Sequence, residues 1–175
     1  MTAATDSVAR DGLTLVARDI GSDDLAGAVL TLDAADDPPP IDGLSSKFEP
    51  VMDIFGQLDA QLETTAPPEP GEGLSILMLG VADGFARRGI AQELIRTALH
   101  NGAARGYRWA VTTATNPVSQ HIFRKPGFTT IAQASYTDCR WRGDAVFASI
   151  GDAGGPMAMR RFGFHGLPAK PMDTR

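Results

Sequence analysis

Residues 74–91 read LSILMLGVADGFARRGIA, and this stretch decides the fold. Its first eight residues form an almost unbroken apolar run, the pattern of a strand buried on both faces. A glycine-bearing loop, ADGFARRG, follows. From Ile90 the period changes. Ile90, Ala91, Leu94, Ile95, Ala98, Leu99 and Ala103 share one helical face up to residue 105, and Gly106 ends the helix. A buried strand that feeds a loop and then an amphipathic helix belongs to the α/β class.

Downstream, residues 107–113 predict a strand. Asn116 caps a short helix with Pro117 at its first position, and Pro126-Gly127 stops it. Residues 129–136 alternate as another strand, 151–156 are a loop, and MAMRRF (157–162) is the last strand. Upstream, LTLVAR (13–18) and LAGAVLTL (25–32) flank the turn residues GSDD, so the pair predicts a hairpin. Three successive prolines in AADDPPPIDG then forbid regular structure. Residues 46–62 predict a helix, with Phe48, Val51, Met52, Phe55, Leu58 and Leu62 at helical spacing. Ser46 with Glu49 matches a capping box, and Pro50 allows a start one turn later. TTAPPEPGEG returns the chain to residue 74. The order β-β-α-β-α-β-α-β-β implies one α/β domain with a mixed sheet over residues 13–162. Residues 1–12 and 163–175 are expected as flexible ends.

The composition suits that reading. The chain has 175 residues, of which 43% are hydrophobic, enough for one globular core. The single cysteine, Cys139, excludes an internal disulfide and a multi-cysteine zinc site, and is expected as an inert, half-buried thiol. No run approaches a membrane span, and MTAATDSVARDG has no signal-peptide core, so a soluble, cytoplasmic protein without a membrane partner is expected. Residues 1–83 carry 3 Lys/Arg against 16 Asp/Glu, while residues 84–175 carry 13 against 5. The basic half either faces an anionic partner such as a cofactor phosphate or pairs with the acidic half. Only Tyr107, Trp109 and Trp141 interleave with basic residues, so no nucleic-acid partner is expected. His100, His121 and His165 lack ligand spacing, and Asp33, Asp36 and Asp37 read as a solvated loop, so no metal is expected.

Two segments carry chemistry. A helix N-terminus presents unpaired N–H groups and a partial positive charge. Gly89 lets a phosphate approach the backbone, and Arg87 and Arg88 add charge there. The competing reading is an ordinary strand–loop–helix turn with two solvated arginines. The second segment, Asn116-Pro-Val-Ser119-Gln-His121-Ile-Phe123-Arg124-Lys125-Pro-Gly127-Phe128, reads on its own as a capped helix with Ile122, Phe123 and Phe128 in the core. Ser119 and His121 are two residues apart on that helix and form no dyad.

In this order, the two segments resemble the GNAT superfamily of acyl-CoA-dependent N-acyltransferases. Its cofactor loop has Gln or Arg, two residues, Gly, one residue, then Gly or Ala. Residues 86–91, ARRGIA, match it except that Ala86 replaces the first polar residue. Its second pattern is matched by Asn116, Ser119, Phe123, Lys125, Gly127 and Phe128. Tyr136 before RWRGDAVF and the late MAMRR look most like the arylalkylamine N-acetyltransferase branch.

The resemblance implies a mostly antiparallel mixed sheet flanked by helices, and transfer of an acetyl group from acetyl-CoA to a small-molecule amine. Met78, Leu79 and Val81 are then expected beside the pantetheine arm, with a backbone N–H near Leu79 polarising the thioester. Backbone N–H groups from Arg88 through Gly89 and Ile90 to Ala91, with the Arg87 side chain, are expected on the pyrophosphate. Asn116, Ser119 and Phe123 are expected at the cofactor. Phe123 stands where the family often has a tyrosine acid, which leaves Ser119, His121, Tyr136 or water as donor. The family's usual opening strand and helices, which cover the acceptor, have no counterpart before residue 13. Either these elements are absent, or residues 46–62 form a substitute wall, or a second subunit supplies it, and exposed apolar surface implies a homodimer. The alternative function is a non-catalytic acyl-CoA-binding or dimerisation module on the same fold.

Overall fold

The computed structural model describes residues 12–38, 43–62, 67–150 and 154–164. Six strands form one sheet: β1 (Leu15–Arg18), β2 (Leu25–Asp33), β3 (Gly73–Val81), β4 (Trp109–Ala114), β5 (Thr129–Gln133) and β6 (Met157–Phe162). Three α-helices accompany them: α1 (Glu49–Leu62), α2 (Ile90–Ala104) and α3 (Pro117–Arg124). The sheet order is β1-β2-β3-β4-β6-β5. The β3–β4 pair is parallel and the others are antiparallel. The expected mixed, mostly antiparallel α/β architecture and its element order are therefore present.

The helices lie on opposite faces. Leu94, Ile95, Ala98 and Leu99 of α2 pack with Val29, Leu74, Ile76, Ala110 and Met159, and Phe123 and Phe128 join the same core. Leu58 of α1 packs instead on Ala132 and Ala158. Ala158 and Met159 are adjacent on β6, so they face opposite sides. The result is three layers: α1, the sheet, then α2 with α3. A Gln92 Nε2 hydrogen bond to the Ile122 carbonyl, 2.8 Å, ties α2 to α3.

Three local expectations are corrected. Ser45, not Ser46, is the cap before α1. Its hydroxyl accepts from Lys47 N–H at the start of a 3-10 turn, and the α-helix begins at Glu49-Pro50, the later start that Pro50 allows. The strand over 129–136 ends at Gln133, so Tyr136 lies beyond it. Asp33 is not merely a solvated loop residue. Its carboxylate accepts from Gly71 N–H at 2.6 Å, Tyr107 Oη at 3.1 Å and Ala35 N–H at 2.9 Å. It thereby clamps the end of β2 to the run-in of β3. The expectations for residues 1–11, for Pro39–Asp42 and for His165 onward fall outside the described residues.

Cys139 is more deeply placed than half-buried, at 3% exposure. It sits among Ile54, Tyr136 and Phe147. Burial, and then the Asp53 carboxylate, push its thiol pKa up, against smaller opposing effects of Gln57 and Arg140. The protonated form that results is the unreactive one.

Candidate active site

The apolar run of β3 is not buried throughout. Leu74 and Ile76 are core residues, but Leu77 and Met78 are exposed. The reason is a break in two ladders at one place. Against β4, pairing runs from Gly73↔Trp109 to Ile76↔Thr112 and stops, although β3 continues to Val81 and β4 to Ala114. Against β2, Leu30 opposes Met78 while Thr31 opposes Ile76, so Leu77 is an extra residue, a β-bulge.

The bulge turns the backbone over. Before it, even-numbered carbonyls point toward β4: Glu72 O accepts from Arg108 N–H at 2.8 Å and Ile76 O from Thr112 Oγ1 at 2.9 Å. After it, Ala82 N–H donates to Ala26 O on the β2 side at 2.9 Å. Strand alternation then directs the backbone groups of Leu79 and Val81 into the gap opened against β4. The Leu79 side chain packs back on the α2 core.

Both expected helix starts stand at this opened end. Beyond Val81 a 3-10 turn, Asp83–Phe85, leads to Arg87 and Gly89, whose φ values of 63° and 81° are both left-handed. A glycine adopts that conformation freely, whereas at Arg87 it carries strain. Gly89 caps α2 without a side chain, and the first helical bond is Glu93 N–H to Gly89 O, 3.1 Å. The N–H groups of Ile90 and Ala91 therefore have no intrahelical acceptor.

The two arginines differ. Arg88 donates to Gly84 O at 3.0 Å and lies over the Phe85 ring at 5.0 Å, so it braces its own loop. Arg87 is exposed and carries its charge outward.

At the end of β4, Asn116 and Ser119 form the cap of α3. Asn116 Oδ1 accepts from Ser119 N–H at 2.9 Å, and Ser119 Oγ accepts from Asn116 N–H at 3.2 Å. The Ser119 hydroxyl donates to Asn116 O at 2.9 Å. These groups line a cleft of about 1130 Å³ together with Leu79, Val81 and Ala91.

Phe123 borders the cleft but is 3% exposed, edge-on to Phe128 at 5.3 Å between ring centres. Tyr136 lies under α1 against Phe147. Its hydroxyl donates to Thr115 O at 2.9 Å, and burial pushes its pKa up. His121 is exposed. The structure thus gathers Leu79, Val81, Ala91, Asn116 and Ser119 around one opening, leaves Arg87, Arg88, Gly89 and Ile90 outside its lining, and holds Tyr136 to a backbone carbonyl beside it. The bulge itself was missed in the sequence. Its signal was the apolar phase, since Leu74, Ile76 and Leu79 share a face only if one residue is skipped.

The bond from Tyr136 yields a prediction. Tyr136→Phe leaves the Thr115 carbonyl without this donor and is expected to cost about 1 kcal/mol of stability. Urea denaturation measures it. A turnover change in the same variant beyond twofold assigns the hydroxyl a role in the reaction as well.

The acetyltransferase (GNAT) family model matches residues 53–128. Among solved structures, the chain is similar to the C-terminal condensation domain of Ebony in complex with beta-alanyl-dopamine. The TM-score is 0.79 at 18% identity, over 90% of this chain and 76% of that one. Arylalkylamine N-acetyltransferase 2 from Aedes aegypti gives 0.72 at 19%, over 90% and 76%. Drosophila melanogaster polyamine N-acetyltransferase, described as forming N-acetylagmatine, gives 0.62 at 15%, over 89% and 77%. At these identities the likeness is one of fold.

Proposed function

With the GNAT fold as its premise, we propose that the chain is an N-acetyltransferase that uses acetyl-CoA and a small-molecule amine. The observation that carries this is the divergence of β3 from β4 beyond Ile76/Thr112, at the end where α2 starts on Gly89. An extended amide-bearing arm pairs with an unpaired strand as an added strand does, and Leu79 and Val81 offer that edge. A pyrophosphate suits the free N–H groups at the α2 start. Space is available there, since a Cβ built on Gly89 meets nothing within 4 Å.

Acetyl-CoA, when bound, supplies an activated acetyl thioester. The chain's own contribution is binding and alignment. Backbone N–H groups of Arg88–Ala91 and the Arg87 charge hold the diphosphate, and the Leu79 N–H polarises the acetyl carbonyl. The α1 face of the sheet, where Phe55, Leu62, Leu77 and Val111 line the cleft, forms the acceptor wall. Asn116 and Ser119 shape the far side of the cleft through their mutual cap.

One observation favours a second reading, a non-catalytic acyl-CoA-binding module: Phe123 is packed into the core and has no proton to give. One experiment separates the two. The protein is heated with and without millimolar CoA, then incubated with acetyl-CoA and an amine panel while free thiol is assayed. At one hundred times Kd, CoA stabilises the native state by about 2.7 kcal/mol, which raises Tm by roughly 5–11 °C for a chain of this size. Thiol release that depends on an amine supports the enzyme. A thermal shift without release supports the binding module. No shift at all removes both.

A further inference from the structure

The cleft continues from the diverging strands across the α1 face of the sheet, where Phe55 and Leu62 of α1 and Trp109 and Val111 of β4 line it. Two charged side chains line it among the described residues: Asp59 on α1 and Arg160 on β6. Arg160 stands opposite Val111 in the β4–β6 ladder. Its guanidinium lies 4.7 Å over the Trp109 ring and 5.6 Å from Phe162.

Ring contacts fix the plane of a guanidinium but use none of its in-plane donors. Among the described residues the Arg160 guanidinium donates no hydrogen bond, and its Nε is buried without an acceptor. The hydrogen bond from Arg108 is what chiefly lowers the Glu72 pKa, with the Arg160 charge the smallest contributor, so that carboxylate is already engaged by Arg108. A rigidly held, half-buried cation with idle donors in an apolar basin is a site for a planar anion.

We propose that Arg160 receives a carboxylate carried by the amine acceptor, so that the acceptors are amino carboxylates rather than simple amines. This rests on the acetyltransferase reading above. The spacing sets the length of the molecule. Arg160 is level with Val111, but its guanidinium lies over Trp109, two residues back, and the strand pairing ends at Thr112, so about three to five residues, about 10–17 Å at 3.3 Å per residue, lie between the guanidinium and the opened strands. An amine at the point of divergence and a carboxylate on Arg160 are thus separated by a chain of about five carbons or more. Asp59 on the α1 wall disfavours a carboxylate on that side and leaves β6 as its seat.

The test compares 6-aminohexanoate with hexylamine as acceptors in the full chain, in Arg160→Gln and in Arg160→Lys, with Tm confirming that each variant is folded. In Arg160→Gln the KM for 6-aminohexanoate is expected to rise at least tenfold more than that for hexylamine, with kcat little changed, and Arg160→Lys is expected to recover some of the loss. Equal changes for both acceptors overturn the proposal. Succinyl-CoA in place of acetyl-CoA checks the other source of a carboxylate. If Arg160→Gln impairs succinyl transfer and spares 6-aminohexanoate, the anion belongs to the acyl group and the proposal falls. Calorimetric titration with 6-acetamidohexanoate needs no turnover. Binding that weakens at least tenfold in Arg160→Gln supports the site even if no amine is acetylated, which would count against the enzyme reading alone. Binding that is absent, or equal in both proteins, overturns the site.

Discussion

Gly89→Val is expected to bind CoA about a hundredfold more weakly than the parent, a loss of about 2.8 kcal/mol. Two effects converge on this residue. Its φ of 81° is a conformation that a β-branched side chain rarely adopts. The direction of a Cβ there is open space within 4 Å, the space assigned above to the diphosphate. The valine therefore intrudes on the ligand and not on the core. Strain costs about 1–2 kcal/mol, so Tm falls by roughly 2–8 °C for a chain of this size. Calorimetric titration with CoA well below that temperature is the measurement. Arg87→Ala is the companion variant, and its smaller loss should shrink as salt rises, because Arg87 is exposed. Unchanged affinity in both variants places the phosphates elsewhere.

The second large effect concerns Gly155, whose substitution by alanine is expected to destabilise the fold by about 3 kcal/mol or more. The run-in to β6 continues the antiparallel pairing with the run-out of β5 here. Ala134 N–H donates to Pro156 O at 3.1 Å and Tyr136 N–H to Gly154 O at 3.0 Å. Gln120 Nε2 adds a bond to Gly155 O at 3.0 Å. A Cβ on Gly155 would overlap the Ala134 carbonyl oxygen and stand 2.7 Å from its carbon and 3.0 Å from Ser135 Cα. Backbone on both sides has nowhere to go. Thermal melting should show a drop of roughly 6–12 °C. Gly56→Ala, inside α1 where a Cβ meets nothing within 4 Å, is the control. It is expected to raise stability by about 0.5–1 kcal/mol. A Gly155→Ala variant as stable as the parent contradicts this close backbone approach.

Most of the fold was legible because each element kept its own period. Ile90 to Ala103 and Phe48 to Leu62 repeat as helices, and MAMRRF matches β6 at both ends. Asn116 was legible as a cap since that motif is local, whereas the bond that Ser119 returns to it was not read. The Leu77 bulge was not, because a continuous apolar run hides a change of phase that alternation with polar residues would expose. The two roles of Arg87 and Arg88 were equally hidden. They differ through Gly84 and Phe85, which the loop brings under one arginine only. Tyr136 read as a free hydroxyl on a strand. Its bond to Thr115 depends on how the chain turns after Gln133, which no short-range pattern encodes. Arg160 and Arg161 are neighbours in MAMRRF, and only the sheet sets Arg160 over Trp109 while Arg161 turns to Gly163 O just past the strand.

The Asp33 clamp also bears on how such a domain diversifies. The excursion over residues 34–72 leaves the sheet at Asp33 and returns opposite it, at Leu74, with Gly71 and Tyr107 fastened to the same carboxylate. Everything that departs between those points, α1 included, is attached through one closed neck. The side proposed above to take the cofactor is built from β3, the loop after it and α2, and contributes nothing to that neck beyond the first residues of β3. Lengthening a loop whose ends are already joined costs little, about 0.6 kcal/mol per doubling. On the proposed function, the segment that carries the proposed acceptor wall is exchangeable as a cassette, and drift in it would alter which molecule is received while leaving the proposed acyl-donor site intact.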